Sequence, residues 1–383
     1  MKWEKVKLGN VTDSCLGKML DQNKNKGDYQ PYLANVNVRW GEFDLEDLPL
    51  MKFEESEQER YELKYGDLVI CEGGEPGRCA IWKEQIPNMK IQKALHRVRV
   101  HDCLDYRYLF YWFLLAGKTG ELDQYFTGAT IKHMPGQKLK EVVIDKPPLE
   151  IQHRIADILS AYDDLIENNQ KQIKLLEEAA QRLYKEWFVD LRFPGHENTK
   201  IVDGVPEGWR ISSIYDVFDI KYGKNLPTSK ITKAGQYPVY GASGVIGYYN
   251  EKNCDDYATL VTSRGNGSGD VFRTHHKQSY VTNNSFIARR NDKNSFIENE
   301  FTFQLFSNTD FKKLCTGSAQ PQLTNTSIQK IKILLPNRQL IEKYQRCTIE
   351  MSEKQEALYQ EQRALTQARN RLLPKLMNGT VEV

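Results

Sequence analysis

The segment "TGATIKHMPGQKLKEVVIDKP" runs from Thr127 to Pro147, and "TGSAQPQLTNTSIQKIKILLP" runs from Thr316 to Pro336. The glycine, the apolar positions and the final proline of the two segments coincide, whereas the polar residues between them differ. Repetition over such a distance along the chain is typical of a duplicated structural unit. The chain is therefore predicted to contain the same fold twice, with different polar surfaces.

The repeat extends beyond these two segments. "KWEKVKLGNV" at 2–11 returns as "GWRISSIYDV" at 208–217, where an aromatic residue precedes a short alternating strand. "YGDLVICEGGEPGRCAIW" at 65–82 returns in plan as "DYATLVTSRGNGSGDVFRT" at 256–274, which is an apolar strand, a glycine-rich turn and a second strand. Each half then continues with an aromatic helical segment. Each half is predicted to be a mixed α/β unit with its own core.

A long helix is predicted after each repeated proline. In the first helix, apolar or small residues recur in steps of four and three, with Asn169 as the polar member of this heptad seam. In the second, apolar residues recur every seven positions from Tyr344, but Gln355, Gln362 and Arg369 interrupt the seam. A helix of about 38 residues is roughly 57 Å long, which exceeds a domain of this size, so the two helices are predicted to pair within one molecule. The residues expected to pair them are Leu159, Tyr162, Ile166, Asn169, Ile173, Leu176, Leu183, Met351, Leu358, Leu365 and Leu372.

The predicted organisation has five parts. Pro194 and Gly195 are expected to end the first long helix and begin a linker. The parts are an N-terminal domain at 1–149, the first long helix at 150–191, the linker at 192–207, a C-terminal domain at 208–336 and the second long helix at 337–378.

The composition favours a soluble globular protein. Of the 383 residues, 27% are charged and 40% are hydrophobic, so the chain can form cores of useful size. Seven cysteines without a C-x-x-C pair argue for reduced thiols and against a zinc ribbon or a disulfide framework. Because no secretory signal and no apolar run of about 18 residues is found, a cytoplasmic location away from membranes is expected. The net charge of +2 is small, so nucleic acid would have to meet local basic patches.

The sequence contains no catalytic motif that can be defended. "DKPPLE" at 145–150 departs from the Asp/Asn-Pro-Pro-aromatic signature of amino-group methyltransferases by an inserted lysine and an aliphatic residue. "RGNGSGDV" at 264–271 precedes a strand pattern and lacks a Lys-Ser/Thr pair, so it indicates a hairpin rather than a phosphate-binding loop. His275 and His276 have no partner at metal-ligand spacing. These absences favour a binding protein over an enzyme.

Basic and amide-rich stretches indicate where nucleic acid would bind. "KIQKALHRVRVH" at 90–101 and "KYGKNLPTSKITK" at 221–233 carry clustered cations, which neutralise phosphates. "YLANVNVRWG" at 32–41 and "SAQPQLTNTS" at 318–327 carry Asn, Gln or Arg, whose side chains can bond bidentately to adenine or guanine edges. Two domains of similar fold and different polar residues would read two different sequences.

Three stretches resemble the specificity subunit of type I restriction-modification systems. They are "VPEGWR" at 205–210, "KPPLEIQHRIADILSAYDDLIENNQKQIKLLEEAAQRLYKEWFVDLRFPG" at 146–195 and "RLLPKLMNG" at 371–379. The resemblance spans the whole chain, with two variable and two repeated regions in the expected order.

The resemblance implies an α+β fold in which two similar mixed α/β target-recognition domains are separated by two long antiparallel α-helices. These helices would form an intramolecular coiled coil with pseudo-two-fold symmetry. It also implies a non-catalytic DNA reader, in which each domain binds one half of a bipartite asymmetric site and helix length sets the gap. Two adenine-N6 methyltransferase subunits would dock around the helices, and motor-nuclease subunits would join them. No cofactor is expected on this chain, because S-adenosylmethionine would be bound by the methyltransferase partners.

Candidate DNA-contacting side chains follow from their positions in this frame. Two alternatives stay open, namely a self-contained tandem-repeat nuclease or methyltransferase, and a structural scaffold that binds protein and ignores DNA. No catalytic or metal-binding residue is predicted. The predicted DNA-binding residues are Asn35, Asn37, Arg39, Lys93, Arg97, Thr130, Lys132, Lys224, Tyr240, Ser243, Arg264, Asn266, Gln320 and Gln322.

Overall fold

The computed structural model describes residues 3–21, 25–317 and 320–383. The chain divides into two compact units, of which the first comprises Met1–Glu167 with Arg363–Val383 and the second comprises Asn168–Gln362. Each unit therefore contains one part of each long helix. In the described ranges, no helix combines the length and the apolar character needed to cross a membrane.

The first unit is a mixed α/β fold. Its strands are β1 (Glu4–Lys7), β2 (Thr12–Leu16), β3 (Asp28–Leu33), β4 (Leu50–Phe53), β5 (Leu68–Cys71), β6 (Cys79–Ile81), β7 (Lys90–Ile91), β8 (Leu95–Val100) and β9 (Val143–Lys146). Its helices are α1 (Gln58–Tyr61), α2 (Tyr106–Thr119), α3 (Gly136–Glu141) and the first part of α4 (Leu149–Tyr184).

The strands of the first unit form a four-stranded antiparallel sheet in the order β2-β8-β5-β6 and a three-stranded sheet in the order β4-β3-β7. In the smaller sheet, β3 is antiparallel to β4 and parallel to β7. Strand β1 pairs with β9 and so joins the start of the unit to the strand before α4. Leu68 and Ile70 of β5 share one buried cluster with Leu109 and Phe113 of α2.

Helix α2 has clear start and stop signals. The Asp105 carboxylate caps its N-terminus by accepting hydrogen bonds from the backbone N–H groups of Arg107 and Tyr108. Gly120, with φ of 77°, ends it in the left-handed conformation that glycine tolerates best. The aromatic and aliphatic run between these signals is largely buried, so α2 is a core helix of the first unit.

The second unit is built from a similar series of elements. Its strands are β10 (Ile201–Val202), β11 (Val205–Pro206), β12 (Arg210–Ser213), β13 (Phe218–Tyr222), β14 (Tyr237–Tyr240), β15 (Val245–Tyr249), β16 (Thr259–Thr262), β17 (Val271–Arg273), β18 (Tyr280–Val281), β19 (Ser285–Arg290) and β20 (Lys332–Leu335). Its helices are the last part of α4, α5 (Ile214–Val217), α6 (Asn299–Ser307), α7 (Asn325–Ile328) and the first part of α8 (Arg338–Met377).

Each sheet of the second unit has the same strand order as the corresponding sheet of the first unit. The orders are β13-β19-β16-β17 and β15-β14-β18, and β12 pairs with β20. Again the central strand of the smaller sheet, β14, is antiparallel to one neighbour and parallel to the other. The prediction of a duplicated mixed α/β fold is confirmed. The short hairpin β10–β11 lies inside the stretch predicted as a linker.

In the first unit, the start of α4 packs against the end of α8. Ile155 and Leu159 of α4 share a buried cluster with Leu373 and Leu376 of α8. Arg369 of α8 also pairs with Asp163 of α4, so the two segments run antiparallel, and their apolar side chains share a cluster with those of α2.

In the second unit, the end of α4 packs against the start of α8. The Tyr344 hydroxyl donates to the Ala180 carbonyl at 3.1 Å, and Asn169 Nδ2 donates to Glu361 Oε2 at 3.0 Å. After Tyr184, α4 passes into one π-helical turn, Lys185–Val189. These two segments are also antiparallel, as the long-helix prediction requires within each unit.

The predicted pairing residues differ in burial. That all eleven residues contact the opposite helix stays a prediction, and so do the boundaries of the five predicted parts of the chain. Leu159, Asn169, Ile173 and Leu358 are buried, whereas Tyr162, Ile166, Leu176, Leu183, Met351, Leu365 and Leu372 are partly buried.

Candidate nucleic-acid interface

Two loops lie against each other in the first unit. They are the first glycine turn, residues 72–77 between β5 and β6, and the first tip loop, residues 127–133. Backbone hydrogen bonds close the tip loop, from Thr127 N to His133 O at 2.7 Å and from His133 N to Thr127 O at 2.8 Å. A β-bridge between Gly73 and His133 holds the tip loop against the glycine turn. The side chains of both loops are thus carried on a hydrogen-bonded frame.

The second unit builds the same frame from the second glycine turn, residues 263–269, and the second tip loop, residues 316–322. Thr316 N donates to Gln322 O at 3.0 Å, and Gln322 N donates to Thr316 O at 2.8 Å. A β-bridge between Arg264 and Gln322 repeats the one between the first turn and its tip loop. The frame is therefore a property of the duplicated fold.

A glycine in the left-handed conformation opens each tip loop. Gly128 and Gly317 both have φ of 93°. A Cβ on Gly128 would lie 2.2 Å from the Ile131 carbonyl oxygen, and one on Gly317 would lie 2.7 Å from that of Gln320. Both distances are shorter than a non-bonded contact allows, so the matching "TG" pairs in the sequence reflect a backbone requirement.

Most of the predicted DNA-binding residues lie at the surface. Asn35 and Gln322 are partly buried. Ser318 and Ala319, which belong to one of the quoted amide-rich stretches, lie outside the described residues. The exposed members are Arg39, Lys93, Thr130, Lys132, Lys224, Ser243, Arg264, Asn266 and Gln320.

The first unit brings three predicted residues to one place. Thr130 and Lys132 lie on the first tip loop. Asn35 adjoins the first glycine turn, because its carbonyl accepts a hydrogen bond from Arg78 Nη2 at 2.9 Å and its amide lies over Gly74. The Lys132 ammonium lies 3.7 Å from a carboxylate oxygen of Asp123, and both side chains are exposed.

The second unit also gathers its predicted residues around the frame. Arg264 and Asn266 lie on the second glycine turn, and Gln320 and Gln322 lie on the second tip loop. Ser243 belongs to a turn that adjoins the same region. Its neighbour Ala242 accepts a hydrogen bond from Thr262 Oγ1, just before the second glycine turn, at 2.5 Å. Lys93 in the first unit and Lys224 in the second lie outside the turn-and-loop frames.

Asn37 and Arg97 were predicted to contact DNA, but the structure buries both, since they are only 7% and 8% exposed. The Asn37 side chain accepts from Ala34 N at 3.0 Å and donates to the Asp44 carbonyl at 3.1 Å. The Arg97 guanidinium donates to the Arg60 carbonyl at 2.9 Å. Both side chains stabilise the backbone of the first unit and are not available to DNA.

Tyr240 was also predicted to contact DNA, but it is buried, since it is only 2% exposed. Its hydroxyl is hydrogen-bonded to His276 Nδ1 at 2.7 Å and accepts from His275 N at 2.9 Å. The His275 ring in turn lies 4.0 Å from that of Tyr359, centroid to centroid. Tyr240 and the histidine pair thus belong to the scaffold of the second unit.

Ile131 and His133 are exposed tip-loop residues that the sequence reasoning missed. Ile131 is 65% exposed, and His133 is also exposed. The signal was present, because the alignment of the two repeats sets Ile131 against Gln320 and His133 against Gln322. The first tip loop thus carries an apolar and an aromatic side chain at the two positions where the second tip loop carries amides.

Arg273, whose side chain is 16% exposed, connects the four-stranded sheet of the second unit to the long-helix segments of that unit. Arg273, at the end of β17, donates to Glu300 at 2.6 Å, to Gln355 at 2.9 Å and to Glu177 at 3.1 Å. Burial opposes its charge, but the two neighbouring carboxylates outweigh that effect and raise the pKa of Arg273. The charge therefore persists at every physiological pH and joins β17, α6, α4 and α8.

The part of the chain that the structure describes contains no group of three or more His, Cys, Asp or Glu side chains arranged to hold a metal ion. Its cysteines are free thiols. His96 is buried, and desolvation lowers its pKa even though its ring nitrogen bonds the Met134 carbonyl at 2.9 Å. That histidine thus serves as a neutral core group beneath the first tip loop.

Comparison with known proteins gives a consistent result. Residues 1–178 and 206–359 match the family model described as "Type I restriction modification DNA specificity domain". The chain is 27% identical over 343 residues to the type I restriction enzyme MjaIX specificity subunit of Methanocaldococcus jannaschii. This match covers 83% of this chain and 78% of the relative. It is 26% identical over 370 residues to the MjaVIII specificity subunit of the same organism, which covers 88% and 82%.

A solved structure shares the fold. The crystal structure of the type I restriction-modification system S subunit from M. genitalium matches with a TM-score of 0.57 and 19% sequence identity, over 98% of this chain and 96% of that chain. The two ranges that match the family model fall on the two repeated halves of the sequence and together exceed half of its length. The chain therefore belongs to the family of type I restriction-modification DNA specificity domains, and it carries that domain twice.

Proposed function

We propose that this chain reads a bipartite, asymmetric DNA site, with one domain for each half-site. The observation that carries the proposal is the turn-and-loop frame, which has the same hydrogen bonds in both units but different exposed side chains. The relatives are named specificity subunits of type I restriction enzymes, which are non-catalytic recognition subunits, and the prediction that this chain is not an enzyme is confirmed on that ground.

The exposed side chains divide by chemistry into two groups. Lys93, Lys132 and Lys224 would neutralise phosphates and position each domain on the duplex. Arg264 and Asn266 carry groups that can bond bidentately to guanine and adenine edges in the major groove. A closed, hydrogen-bonded frame suits base readout, because side chains on rigid elements are positioned more accurately than those on free loops.

The partners that we propose are two adenine-N6 methyltransferase subunits, docked on the long helices, with motor-nuclease subunits joined in the full complex. S-adenosylmethionine would be bound by the methyltransferase subunits and not by this chain. Leu165, Leu175 and Ile349 support a protein partner, because these large apolar side chains on α4 and α8 are 48%, 64% and 43% exposed. The cytoplasmic location stays a prediction from the sequence.

The test uses the complete complex of this chain with its methyltransferase subunits. We expect salt-dependent, sequence-selective retardation of a DNA pool, and methylation mapping should return two unlike half-sites with a constant gap. Arg264→Ala should weaken specific binding about tenfold and relax selectivity in the second half-site alone. Arg290→Ala is the matched control, since Arg290 is an exposed arginine of the same unit outside the frame.

Three outcomes would contradict the proposal. Turnover of labelled S-adenosylmethionine or cleavage of DNA by the isolated chain would favour a self-contained methyltransferase or nuclease. Equal binding of all DNA sequences, or none at all, by the complete complex would favour a protein scaffold. Relaxed selectivity in both half-sites after Arg264→Ala would contradict the assignment of one half-site to each domain.

A further inference from the structure

The two tip loops carry side chains of different chemistry at one matched position, with Ile131 in the first loop and Gln320 in the second. Each loop is closed by the same pair of backbone hydrogen bonds and opened by a glycine with φ of 93°. In each loop the carbonyl oxygen of this residue lies over that glycine. The main chain of this residue is therefore part of the turn-and-loop frame.

The side chains at this position are free of the frame. Ile131 is 65% exposed, and Gln320 is also exposed. A single exposed isoleucine is common in proteins and needs no explanation by itself. Here, however, the fold does not require an apolar residue, because the matched position of the second unit holds a glutamine in a loop that is closed by the same hydrogen bonds. The choice of side chain can therefore serve a ligand rather than the core.

The base edges in the major groove distinguish these two side chains. Thymine presents a methyl group, which apolar side chains contact, whereas adenine presents N6 and N7, which a glutamine amide can bond bidentately. We propose that residue 131/320 is a specificity-determining position, at which Ile131 selects a thymine through its methyl group and Gln320 selects an adenine. This inference rests on the proposed function and names the base that each tip reads.

The neighbouring side chains favour the same assignment. Thr130 and Lys132 flank Ile131 and are both exposed, so a cation able to meet a phosphate stands beside the apolar tip. In the second unit, Gly265 N and Ser268 Oγ both donate to the Pro321 carbonyl, at 3.2 Å and 2.6 Å. Those bonds anchor the backbone of the residue that follows Gln320.

Modified bases test the first half of the inference in the complete complex with methyltransferase. Replacing each thymine of the first half-site in turn by deoxyuridine removes only the methyl group. We expect one such replacement to weaken binding about fourfold, which corresponds to the loss of one buried methyl contact. Ile131→Ala should bind the thymine and uracil probes equally, whereas Leu50→Ala, at an aliphatic residue of the first unit that is 59% exposed, should keep the difference.

The proposed contact between Gln320 and adenine is tested with 7-deaza-adenine, which lacks the N7 acceptor. We expect one replacement in the second half-site to weaken binding about fivefold, and Gln320→Ala should abolish that difference. The inference is overturned if no thymine replacement matters, if the first half-site contains no A·T pair, or if the base discrimination survives in the alanine variants. In each of these cases sequence-selective binding by the unmodified complex persists. A failure of the proposed function would instead remove that selectivity altogether.

Discussion

Arg273 shows how one residue can join a recognition fold to its support. Its guanidinium makes separate hydrogen bonds to Glu300, Glu177 and Gln355, which lie on three different helices of the second unit. The Glu300 side chain is only 7% exposed, and its carboxylate lies 2.6 Å from the guanidinium. A planar group with several fixed donors can meet such acceptors at once, which a lysine ammonium on a flexible stem cannot do with the same geometry.

Arg273→Ala should lower the free energy of unfolding of the second unit by about 3 kcal/mol, because Glu300 would be left buried without a counter-charge. Thermal or urea unfolding of the whole chain measures the effect. Glu300→Gln in the Arg273→Ala background should recover part of the loss, since it removes the uncompensated carboxylate. An exposed control, Arg290→Ala, should change stability by less than about 0.5 kcal/mol. Equal effects for Arg273→Ala and Arg290→Ala would mean that the buried network contributes nothing.

At the scale of elements, the repeated glycines, apolar residues and prolines were informative because the backbone itself depends on them. Gly128 and Gly317 occupy a conformation that other residues resist, and the fully buried strands β5 and β16 both have apolar residues at their centres. The duplicated mixed α/β fold and the long helices could thus be predicted from spacing, whereas the order of the strands within each sheet was not predicted.

Polar residues in the same loops were far less informative. Asn37 and Asn35 are two positions apart and chemically identical, yet the amide of Asn37 is turned inward to bond Ala34 and Asp44. Arg97 lies in β8, where it is one of four consecutive buried residues, and Tyr240 ends a strand against the histidine pair. Whether an Asn, Arg or Tyr serves DNA or the scaffold depends on side-chain direction, which composition does not reveal.

The helix segments of the second unit offer a test of the polar seam position. Asn169 is 4% exposed, and its amide donates to Glu361, which is itself exposed to solvent. Asn169→Leu should raise the melting temperature by about 2–4 °C, because it buries an aliphatic side chain and leaves Glu361 hydrated. Asn168→Leu, at an exposed neighbouring position, should leave the melting temperature nearly unchanged. A lower melting temperature for Asn169→Leu would show that the amide stabilises the helix packing rather than restricting its register.

At the scale of the whole molecule, both long helices pass from one compact unit into the other, at Glu167 in α4 and at Gln362 in α8. Four residues inserted after each of these positions would leave the helix contacts inside each unit unchanged. They would lengthen both helices by about 6 Å, which is close to one helical turn. If the helices set the distance between half-sites, as we propose, the gap in the DNA site should grow by about two base pairs at roughly 3.4 Å each.

Methylation mapping in a host that carries the complete system measures both half-sites and the gap in one experiment. We expect the half-site sequences to be retained, because each turn-and-loop frame is built within a single unit. The control is the same four residues inserted between Asp203 and Gly204, in the exposed turn of the β10–β11 hairpin, which should leave the gap unchanged. An unchanged gap after the paired helix insertion, with both half-sites still methylated, would show that something other than helix length determines the spacing.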